Sequence, residues 1–254
     1  AIKDYDTSRP VQYERNNDIV DMGSNQYPSI AWVQGAVKGT YKLKYPFHIS
    51  EYAHSMGNAC GNLIDYWNAI ESTNFFMGGA IWDWVDQALD KRDPTTGKTY
   101  WAYGGDFGAD NKPNDGMFCM NGILRPDFTP KAQYFEVKKV YQNVSVKAVD
   151  MKKGLVEIFN KNYFEPLRGY QIVWSLYKDG VCVLSNQSLE GAKNILGPRE
   201  RQTYRLAYDF DQLDAQSEYY VTIQFLQGKD MPWAKKGYVQ MDEQLKVKDA
   251  EKMA

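Results

Sequence analysis

The feature that most constrains the fold of this 254-residue chain is a change of sequence pattern near residue 143. Before it, short β-rich runs alternate with helical or irregular connections, a pattern typical of parallel sheets built from crossover units. After it, short alternating strands follow one another with turn residues between them. The sequence therefore predicts an α/β domain over residues 1–142 and an all-β domain over residues 143–254.

The first domain has room for about four βα units. A crossover helix is predicted over residues 62–72, because apolar residues from Leu63 to Ile70 recur at helical spacing. A closed (β/α)8 barrel needs eight such units and about 250 residues. We therefore expect a partial TIM barrel that consists of about the last four βα units. The candidate strands are residues 9–14 (RPVQYE), 18–22, 46–51 (PFHISE) and 79–84 (GAIWDW).

The second domain is predicted to be an immunoglobulin-like β-sandwich. Seven short strands at regular spacing are typical of that fold. Asp179 and Gly180 lie between two of these strands and form a dipeptide that tight hairpins favour. The strands are predicted at residues 144–149, 155–160, 170–177, 181–185, 202–208, 219–226 and 238–247.

Composition and charge argue against several kinds of partner. A net charge of -2 and a pI near 5.8 disfavour nucleic acid, which requires clustered Lys and Arg. The sequence has no run of 18 apolar residues and no basic segment followed by an apolar stretch, so we expect neither a membrane span nor a signal peptide. Cys60, Cys119 and Cys182 form no CxxC pair, which disfavours a disulfide framework and a thiolate zinc site. The cellular compartment stays open, cytoplasmic or periplasmic.

The aromatic content points weakly to carbohydrate. Aromatic residues make up 15% of the chain, with 19 Tyr and 7 Trp among them. Sugar rings offer apolar faces that stack on such side chains, while their hydroxyls need polar partners. The alternative is that these aromatic residues fill the cores of the two domains, as they do in many folds. Composition alone leaves both interpretations open.

Glu51 is the strongest local candidate for chemistry. It ends the β-rich run PFHISE, and the loop after it carries His54 and Gly57. In barrel enzymes the carboxyl ends of the strands and the loops that follow them form the active-site face. Glu51 therefore stands where a catalytic carboxylate is expected, although most glutamates are only solvated or salt-bridged.

Two further clusters follow Glu51. In GGAIWDWVDQ, strand alternation would place Trp82 and Trp84 on one side and Asp83 on the other, so that one side could face a sugar. The alternative is that the tryptophans pack inside the barrel and the aspartates cap the next helix. The Gly-, Asn- and Asp-rich stretch over residues 103–122 offers oxygen donors suited to hard cations, but ordinary turn chemistry explains it equally well.

Separated segments in register give the chain a resemblance to family-2 β-galactosidases. They are ISEYAHSMGN, GGAIWDWVDQ, YGGDFG and PNDGMFCMNG, and RPVQYE near the start resembles the same enzymes. The resemblance covers residues 5–140 strongly and the following sandwich weakly. It implies hydrolysis of terminal β-galactosides with retention, by two carboxylates about 5 to 5.5 Å apart.

The resemblance also assigns roles to individual residues. Glu51 matches the nucleophile that forms the glycosyl-enzyme intermediate, and Tyr27 matches a tyrosine that supports this nucleophile. His54 matches a histidine that contacts sugar hydroxyls, and Trp82 matches the aromatic platform of the galactose site. Tyr52 is included among the substrate-binding residues.

Two cations and no organic cofactor are implied by the same resemblance. Asn121 and the backbone carbonyl of Phe118 match part of a sodium (Na+) site that also touches substrate. Asn114 matches a residue near a magnesium ion (Mg2+).

One expected part is absent from the sequence. The acid/base glutamate of the family lies in an Asn-Glu pair at the end of an earlier barrel strand, and this sequence contains no Asn-Glu dipeptide. Glu14 ends a candidate strand, but the resemblance gives it no role in proton transfer. We therefore expect the chain to be part of a longer enzyme whose N-terminal domains supply the acid/base, and to be inactive by itself.

Other interpretations remain open. β-Glucuronidase and β-mannosidase are the competing activities, but the segments around Glu51 and Trp82 contain no Arg or Lys, which favours a neutral sugar. A non-catalytic carbohydrate-binding module would keep Trp82 and the sandwich. An interaction domain is the third alternative, because half a barrel exposes sheet edges that favour assembly into a homo-oligomer.

Overall fold

The computed structural model describes residues 1–14, 16–109, 111–189, 191 and 196–251. The chain divides into a first unit, Ala1–Val140, and a second unit, Tyr141–Ala254. Within the described part of the chain, no helix has the length and the apolar character that crossing a membrane requires.

A three-stranded parallel sheet forms the centre of the first unit, with strand order β1-β2-β3. Helices connect consecutive strands, as parallel pairing requires. The strands are β1 (Gly23–Gln26), β2 (Phe47–Tyr52) and β3 (Phe76–Ile81). The helices of this unit are α1 (Ile2–Tyr5), α2 (Ile30–Val37), α3 (Leu63–Glu71) and α4 (Ala132–Val140), and 3-10 turns cover Asn17–Ile19 and Gly104–Asp106.

The chain after β3 continues the parallel arrangement. The chain first forms a separate antiparallel pair, β4 (Leu89–Arg92) and β5 (Thr99–Ala102). Residues 121–124 then run parallel to residues 83–86, with a parallel bridge between Val85 and Leu124, and α4 follows. The described part of the first unit thus contains four parallel segments.

Burial of one sheet face explains why β2 and α3 form where they do. Phe47 and Ile49 alternate along β2 and are 1% and 0% exposed. Leu63 and Ile70 lie two turns apart on the same face of α3, and both are buried in the same hydrophobic cluster as Phe47 and Ile49. Burying such side chains contributes about 1.5 to 3 kcal/mol each, which outweighs the weak local preferences of short elements.

Several predicted bounds in the first unit are wrong. Residues 9–14 form no strand, and residues 18–22 contain the end of a 3-10 turn, so the first strand begins only at Gly23. Asp21 explains the difference, because its Oδ2 accepts a hydrogen bond from the N–H of Val11 at 2.8 Å and its own N–H donates to the Val11 carbonyl at 2.9 Å. The strand predicted at residues 79–84 lies at Phe76–Ile81 and ends before Trp82. Helices α2 and α4 were not predicted.

The second unit consists of two antiparallel sheets. One has the order β10-β7-β6 and the other β12-β11-β8-β9. All seven predicted strands are present in the described residues, within a few residues of the predicted bounds. They are β6 (Val144–Asp150), β7 (Leu155–Asn160), β8 (Tyr170–Lys178), β9 (Val181–Ser188), β10 (Arg201–Arg205), β11 (Tyr219–Gln227) and β12 (Val239–Lys248), and 3-10 turns cover Met151–Lys153 and Phe210–Gln212.

Both sheets of the second unit contribute to one core. Strand β11 alternates strictly between buried and partly buried residues, as a strand with one face inward must. Ile158 from the first sheet and Trp174 and Phe225 from the second are each at most 1% exposed and belong to the same cluster. Asp179 and Gly180 adopt positive φ angles of 47° and 81° between β8 and β9, which confirms the predicted hairpin turn.

Candidate active site

Glu51 lies near the carboxyl end of β2, the middle strand of the parallel sheet. Its side chain is half-buried. It pairs in register with Gln26, the last residue of β1, beside a bulge. Because parallel strands end at the same edge of a sheet, the residues that follow β1 and β3 are brought to Glu51. These residues are Tyr27 and Trp82.

Tyr27 lies directly beside Glu51. The Tyr27 N–H donates to the Glu51 carbonyl oxygen at 2.7 Å. Burial is the main reason that the pKa of Tyr27 is held well above its usual value, and the neighbouring Glu51 side chain and the charge of Asp83 raise this pKa further. The phenol therefore stays protonated across the physiological pH range and can donate to a carboxylate beside it.

His54 lies between two aromatic rings in the loop after β2. Its ring centroid is 6.1 Å from that of Tyr27 and 4.9 Å from that of Phe118, with which it is stacked at 29°. Its Nε2 is buried and has no hydrogen-bond partner among the described residues. A buried ring nitrogen without a partner costs free energy, so the site provides an unsatisfied polar atom for a ligand.

Trp82 follows β3 at the same edge of the sheet, and its side chain is 40% exposed. Its N–H donates to the Tyr52 carbonyl at 3.3 Å, and its own carbonyl accepts from the N–H of Ser55 at 2.7 Å. These two bonds hold the Trp82 backbone against Tyr52 and Ser55, which lie on either side of His54 in the chain. The peptide bond between Trp82 and Asp83 is cis.

The expected alternation of Trp82, Asp83 and Trp84 does not apply, because β3 ends at Ile81. The Asp83 carboxylate instead accepts hydrogen bonds from the N–H of Trp84 and the side chain of Gln87. The next element after these aspartates in the described residues is strand β4 (Leu89–Arg92), so they do not cap a following helix.

Tyr52 does not belong to the substrate-facing surface, so its predicted contact with substrate is wrong. Its side chain is 0% exposed and packs in the core of the first unit. Its hydroxyl accepts a 2.9 Å hydrogen bond from Nε1 of Trp67 on α3. The local sequence explains the error, because consecutive side chains of a strand point to opposite faces and Glu51 occupies the outward position.

Asn121 lies beside Trp82 and Asp83. Its carbonyl oxygen accepts from the N–H of Asp83 at 2.7 Å. Its side chain is almost completely buried, and Oδ1 has no hydrogen-bond partner among the described residues. A neutral, unsatisfied amide oxygen can coordinate a hard cation or accept a hydrogen bond from a sugar hydroxyl. No group of three or more His, Cys, Asp or Glu side chains placed for a metal occurs in the described ranges.

Asn114 offers less to a cation. It is exposed, and its Oδ1 accepts a 2.8 Å hydrogen bond from the N–H of Gly116. The same side chain donates from Nδ2 to the carbonyl of Lys112 at 3.3 Å. Asn114 therefore stabilises a local turn, which is the alternative that the sequence left open.

Sequence reasoning missed Lys131 and Gln133 at this edge, and it gave Asp86, in the segment GGAIWDWVDQ, no role beyond helix capping. Asp86 and Lys131 form an ion pair at 3.0 Å, and Gln133 donates to the carbonyls of Ser55, at 3.3 Å, and Gly57. Gln133 thereby holds the loop that carries His54. Gln133 is one of the buried residues of α4, and its role could not be found from the sequence because α4 itself was not predicted.

Comparison with known proteins places the chain in a family. The family described as glycosyl hydrolases family 2, TIM barrel domain, matches residues 1–146, and beta-galactosidase, domain 4, matches residues 156–248. Since the first match covers more than half of the chain, the chain belongs to the glycosyl hydrolases of family 2. The predicted relation to that family and to its TIM barrel is confirmed.

Individual relatives cover nearly the whole chain. A beta-galactosidase of Priestia megaterium is 38% identical over 240 residues, which are 93% of this chain and 22% of that protein. Those of Photobacterium profundum and Pseudoalteromonas haloplanktis are 34% and 33% identical over 95% and 96% of the chain, and the matched parts are 24% and 25% of those proteins. The chain thus spans about a quarter of the length of the curated relatives it matches.

Proposed function

We propose that this chain supplies the nucleophile side of a retaining β-galactosidase, with Glu51 as the nucleophile. The observation that carries the proposal is the place of Glu51 at the carboxyl edge of the parallel sheet, where the N–H of Tyr27 donates to the Glu51 carbonyl oxygen. That edge is where barrel enzymes place their catalytic residues. The protonated phenol of Tyr27 would orient the carboxylate and leave it available for attack.

In the proposed reaction, a Glu51 oxygen attacks the anomeric carbon and the bond to the leaving oxygen breaks. The leaving oxygen takes a proton from an acid, and water then releases the sugar from the glycosyl-enzyme with the acid acting as base. The acid/base would lie about 5 to 5.5 Å from Glu51 in a retaining enzyme. We place it in another segment, because the sequence has no Asn-Glu dipeptide.

The sugar is proposed to be a terminal β-galactoside held by Trp82 and His54. The exposed indole offers a face for the apolar side of the ring, and the unpartnered Nε2 of His54 can bind a hydroxyl. The names of the relatives support galactose, and the lack of Arg and Lys in the segments around Glu51 and Trp82 disfavours a glucuronide.

The cations of the proposal are sodium and magnesium. The Oδ1 of Asn121 and the carbonyl of Phe118 would hold sodium, which would supply positive charge beside a sugar hydroxyl. The buried, unsatisfied Oδ1 fits this role. Asn114 would lie near magnesium, although its Oδ1 is already occupied by Gly116.

The same proposal assigns the two parts of the chain to two domains. Residues 1–142 correspond to about the last four βα units of a (β/α)8 barrel, and residues 143–254 to an immunoglobulin-like sandwich. The four parallel segments and the shared core of two antiparallel sheets support these assignments. We call this chain together with the N-terminal segments that complete the barrel the intact enzyme.

An aryl-glycoside assay tests the proposal. We expect the intact enzyme to hydrolyse an aryl β-galactoside much faster than the corresponding glucuronide or mannoside, and this chain alone to show little or no turnover. General acid assistance is worth roughly 10² to 10⁴-fold, and the chain lacks it. Robust turnover by the chain alone would contradict the missing acid/base.

The matched variants Glu51→Gln and Glu71→Gln separate the enzyme from a binding module. Glu71 is exposed at the end of α3, so its variant should retain activity. If Glu51→Gln keeps full hydrolytic activity, Glu51 is not the nucleophile. If the intact protein binds galactose equally well with and without Glu51→Gln and hydrolyses no galactoside, the carbohydrate-binding module replaces the enzyme as the preferred function.

A further inference from the structure

A buried ion pair joins two loops next to the candidate site. The Lys131 Nζ lies 3.0 Å from Oδ1 of Asp86, and the two side chains are only 16% and 6% exposed. Burying two charges costs several kcal/mol per ion unless additional hydrogen bonds satisfy them. The pair therefore needs further partners, and the structure shows where they lie.

Those partners flank Asn121 on both sides. Asp86 Oδ1 accepts a 2.8 Å hydrogen bond from the N–H of Gly122. Lys131 Nζ donates to the carbonyl of Met120 at 3.2 Å. The ion pair thus binds the residue before Asn121 and the residue after it.

Close packing of the two backbones reinforces this connection. A Cβ on Gly122 would lie 2.2 Å from the backbone nitrogen of Asp86, so residue 122 has to be glycine in this arrangement. The N–H of Asp86 also donates to the Leu124 carbonyl at 2.9 Å. Residues 120–124 are therefore fixed against residues 83–86 along their whole length.

We propose that Asp86 and Lys131 are positioning residues that hold the Asn121 amide toward the sugar site beside Trp82. The Oδ1 of Asn121 has no hydrogen-bond partner among the described residues, so its orientation depends on the backbone that carries it. The ion pair and the Gly122 hydrogen bond fix that backbone. This inference rests on the proposed function, because it assigns Asn121 to substrate binding.

Steady-state kinetics of the intact enzyme test the inference. Asp86→Ala removes the partner of both Lys131 and Gly122, and we expect KM for an aryl β-galactoside to rise about tenfold with a much smaller change in kcat, since the backbone that orients the Asn121 amide loses its charged anchor. Asp90→Ala, on the exposed strand β4, is the matched control and should leave KM unchanged.

A double variant separates positioning from mere stability. Asp86→Asn keeps an acceptor for Gly122 but leaves the Lys131 charge unpaired, whereas Asp86→Asn/Lys131→Met removes both charges. We expect the double variant to recover part of the rise in KM seen in Asp86→Asn, because the acceptor for Gly122 is retained and no unpaired charge remains, while loss of the bond from Lys131 to the Met120 carbonyl keeps KM above that of the parent. A lowered melting temperature with an unchanged KM in Asp86→Ala would overturn the proposal.

Amide hydrogen exchange of the intact enzyme gives a readout that does not need activity. Lys131→Met should accelerate exchange in a peptide covering residues 118–124 and leave peptides of the second unit unchanged. Unchanged exchange in residues 118–124 would overturn the proposal even if Asp86→Ala fails to fold. If the intact enzyme hydrolyses no β-galactoside while Lys131→Met still accelerates exchange in residues 118–124, the proposed function fails, but the connection of Asp86 and Lys131 to the Asn121 backbone stands.

Discussion

The backbone N–H of Tyr27 donates to the Glu51 carbonyl at 2.7 Å, so the residue that follows β1 is tied to the carboxyl end of β2. Burial and the nearby negative charges of Glu51 and Asp83 raise the pKa of Tyr27 and keep its hydroxyl protonated. We infer that this hydroxyl orients the Glu51 carboxylate, so that the position of the proposed nucleophile depends on a neighbouring strand.

Tyr27→Phe in the intact enzyme should lower kcat for an aryl β-galactoside by about 10- to 100-fold, because it would remove the hydroxyl that we propose orients the Glu51 carboxylate. Tyr100→Phe, which changes an exposed tyrosine on β5, is the control and should have no effect. Equal kcat values for the parent and Tyr27→Phe would show that the phenol does not support the nucleophile.

The second unit should lose stability at alkaline pH through Tyr208. Burial, and to a smaller extent the charge of Asp150, raises the pKa of Tyr208 to about 12. A raised pKa in the folded state gives stability that is fully present below the unfolded pKa of about 10 and is lost as pH rises through about 12. Burial also raises the pKa values of Tyr170 and Tyr204 in the same unit.

Tyr208→Phe should therefore reduce, but not abolish, the decrease in the free energy of unfolding at alkaline pH, because Tyr170 and Tyr204 still contribute to it. Urea unfolding of this chain between about pH 9 and pH 12 measures it, with an expected contribution of about 2 to 3 kcal/mol from Tyr208. At neutral pH the variant loses the hydrogen bond from the Tyr208 hydroxyl to the Met151 carbonyl, worth about 1 kcal/mol. An alkaline profile identical to that of the parent would contradict the assignment.

Trp174 tests the shared core of the second unit. It is 1% exposed, so Trp174→Ala should lower the free energy of opening of the β11 amides, measured by native-state hydrogen exchange, by about 3 to 5 kcal/mol. Trp233→Ala changes a tryptophan that is 59% exposed and should cost much less. Similar losses in the two variants would argue against the core described above.

Gly122 tests the close approach of residues 120–124 to residues 83–86. Gly122→Ala should destabilise the first unit by about 1 to 3 kcal/mol, since the added Cβ meets backbone atoms that cannot move independently. Gly61→Ala places its Cβ in open space and is the control. Thermal unfolding followed by circular dichroism compares the two, and equal melting temperatures would contradict the packing.

The sequence predicted the elements whose residues carry a strong pattern of their own. Strand β2 and helix α3 have regular apolar spacing, and β11 alternates over nine residues, so their bounds were predicted closely. Strand β1 has the sequence GSNQ, which contains no β-branched or aromatic residue. It is a strand because β2 pairs with it, and this tertiary effect leaves no local signal.

Helix α2 carried a signal that was not used. The Ser29 hydroxyl accepts a hydrogen bond from the N–H of Trp32, and a serine just before an apolar segment is a common helix start. Helix α4 was harder to predict, because its buried face includes Gln133 as well as valines. Its role in holding the His54 loop follows only from the folded arrangement.

The candidate site divides in the same way. Glu51 could be placed from its position at the end of a strand, whereas the roles of Tyr27, Trp82 and Asn121 came from resemblance. Lys131 lies 45 residues from Asp86 in the chain, and no local pattern connects them. Tyr52 adjoins Glu51 in sequence, but strand geometry turns adjacent side chains to opposite faces, and Tyr52 faces the core.

The most direct test of the account is to trap the intermediate. The intact enzyme is inactivated with a 2-fluoro galactosyl reagent, digested, and analysed by mass spectrometry for the residue that carries the sugar. The account predicts label on the peptide that contains Glu51, which would establish the retaining mechanism, the nucleophile and the galactosyl preference together. Label on another residue, or no label in an enzyme that turns over galactosides, would contradict it.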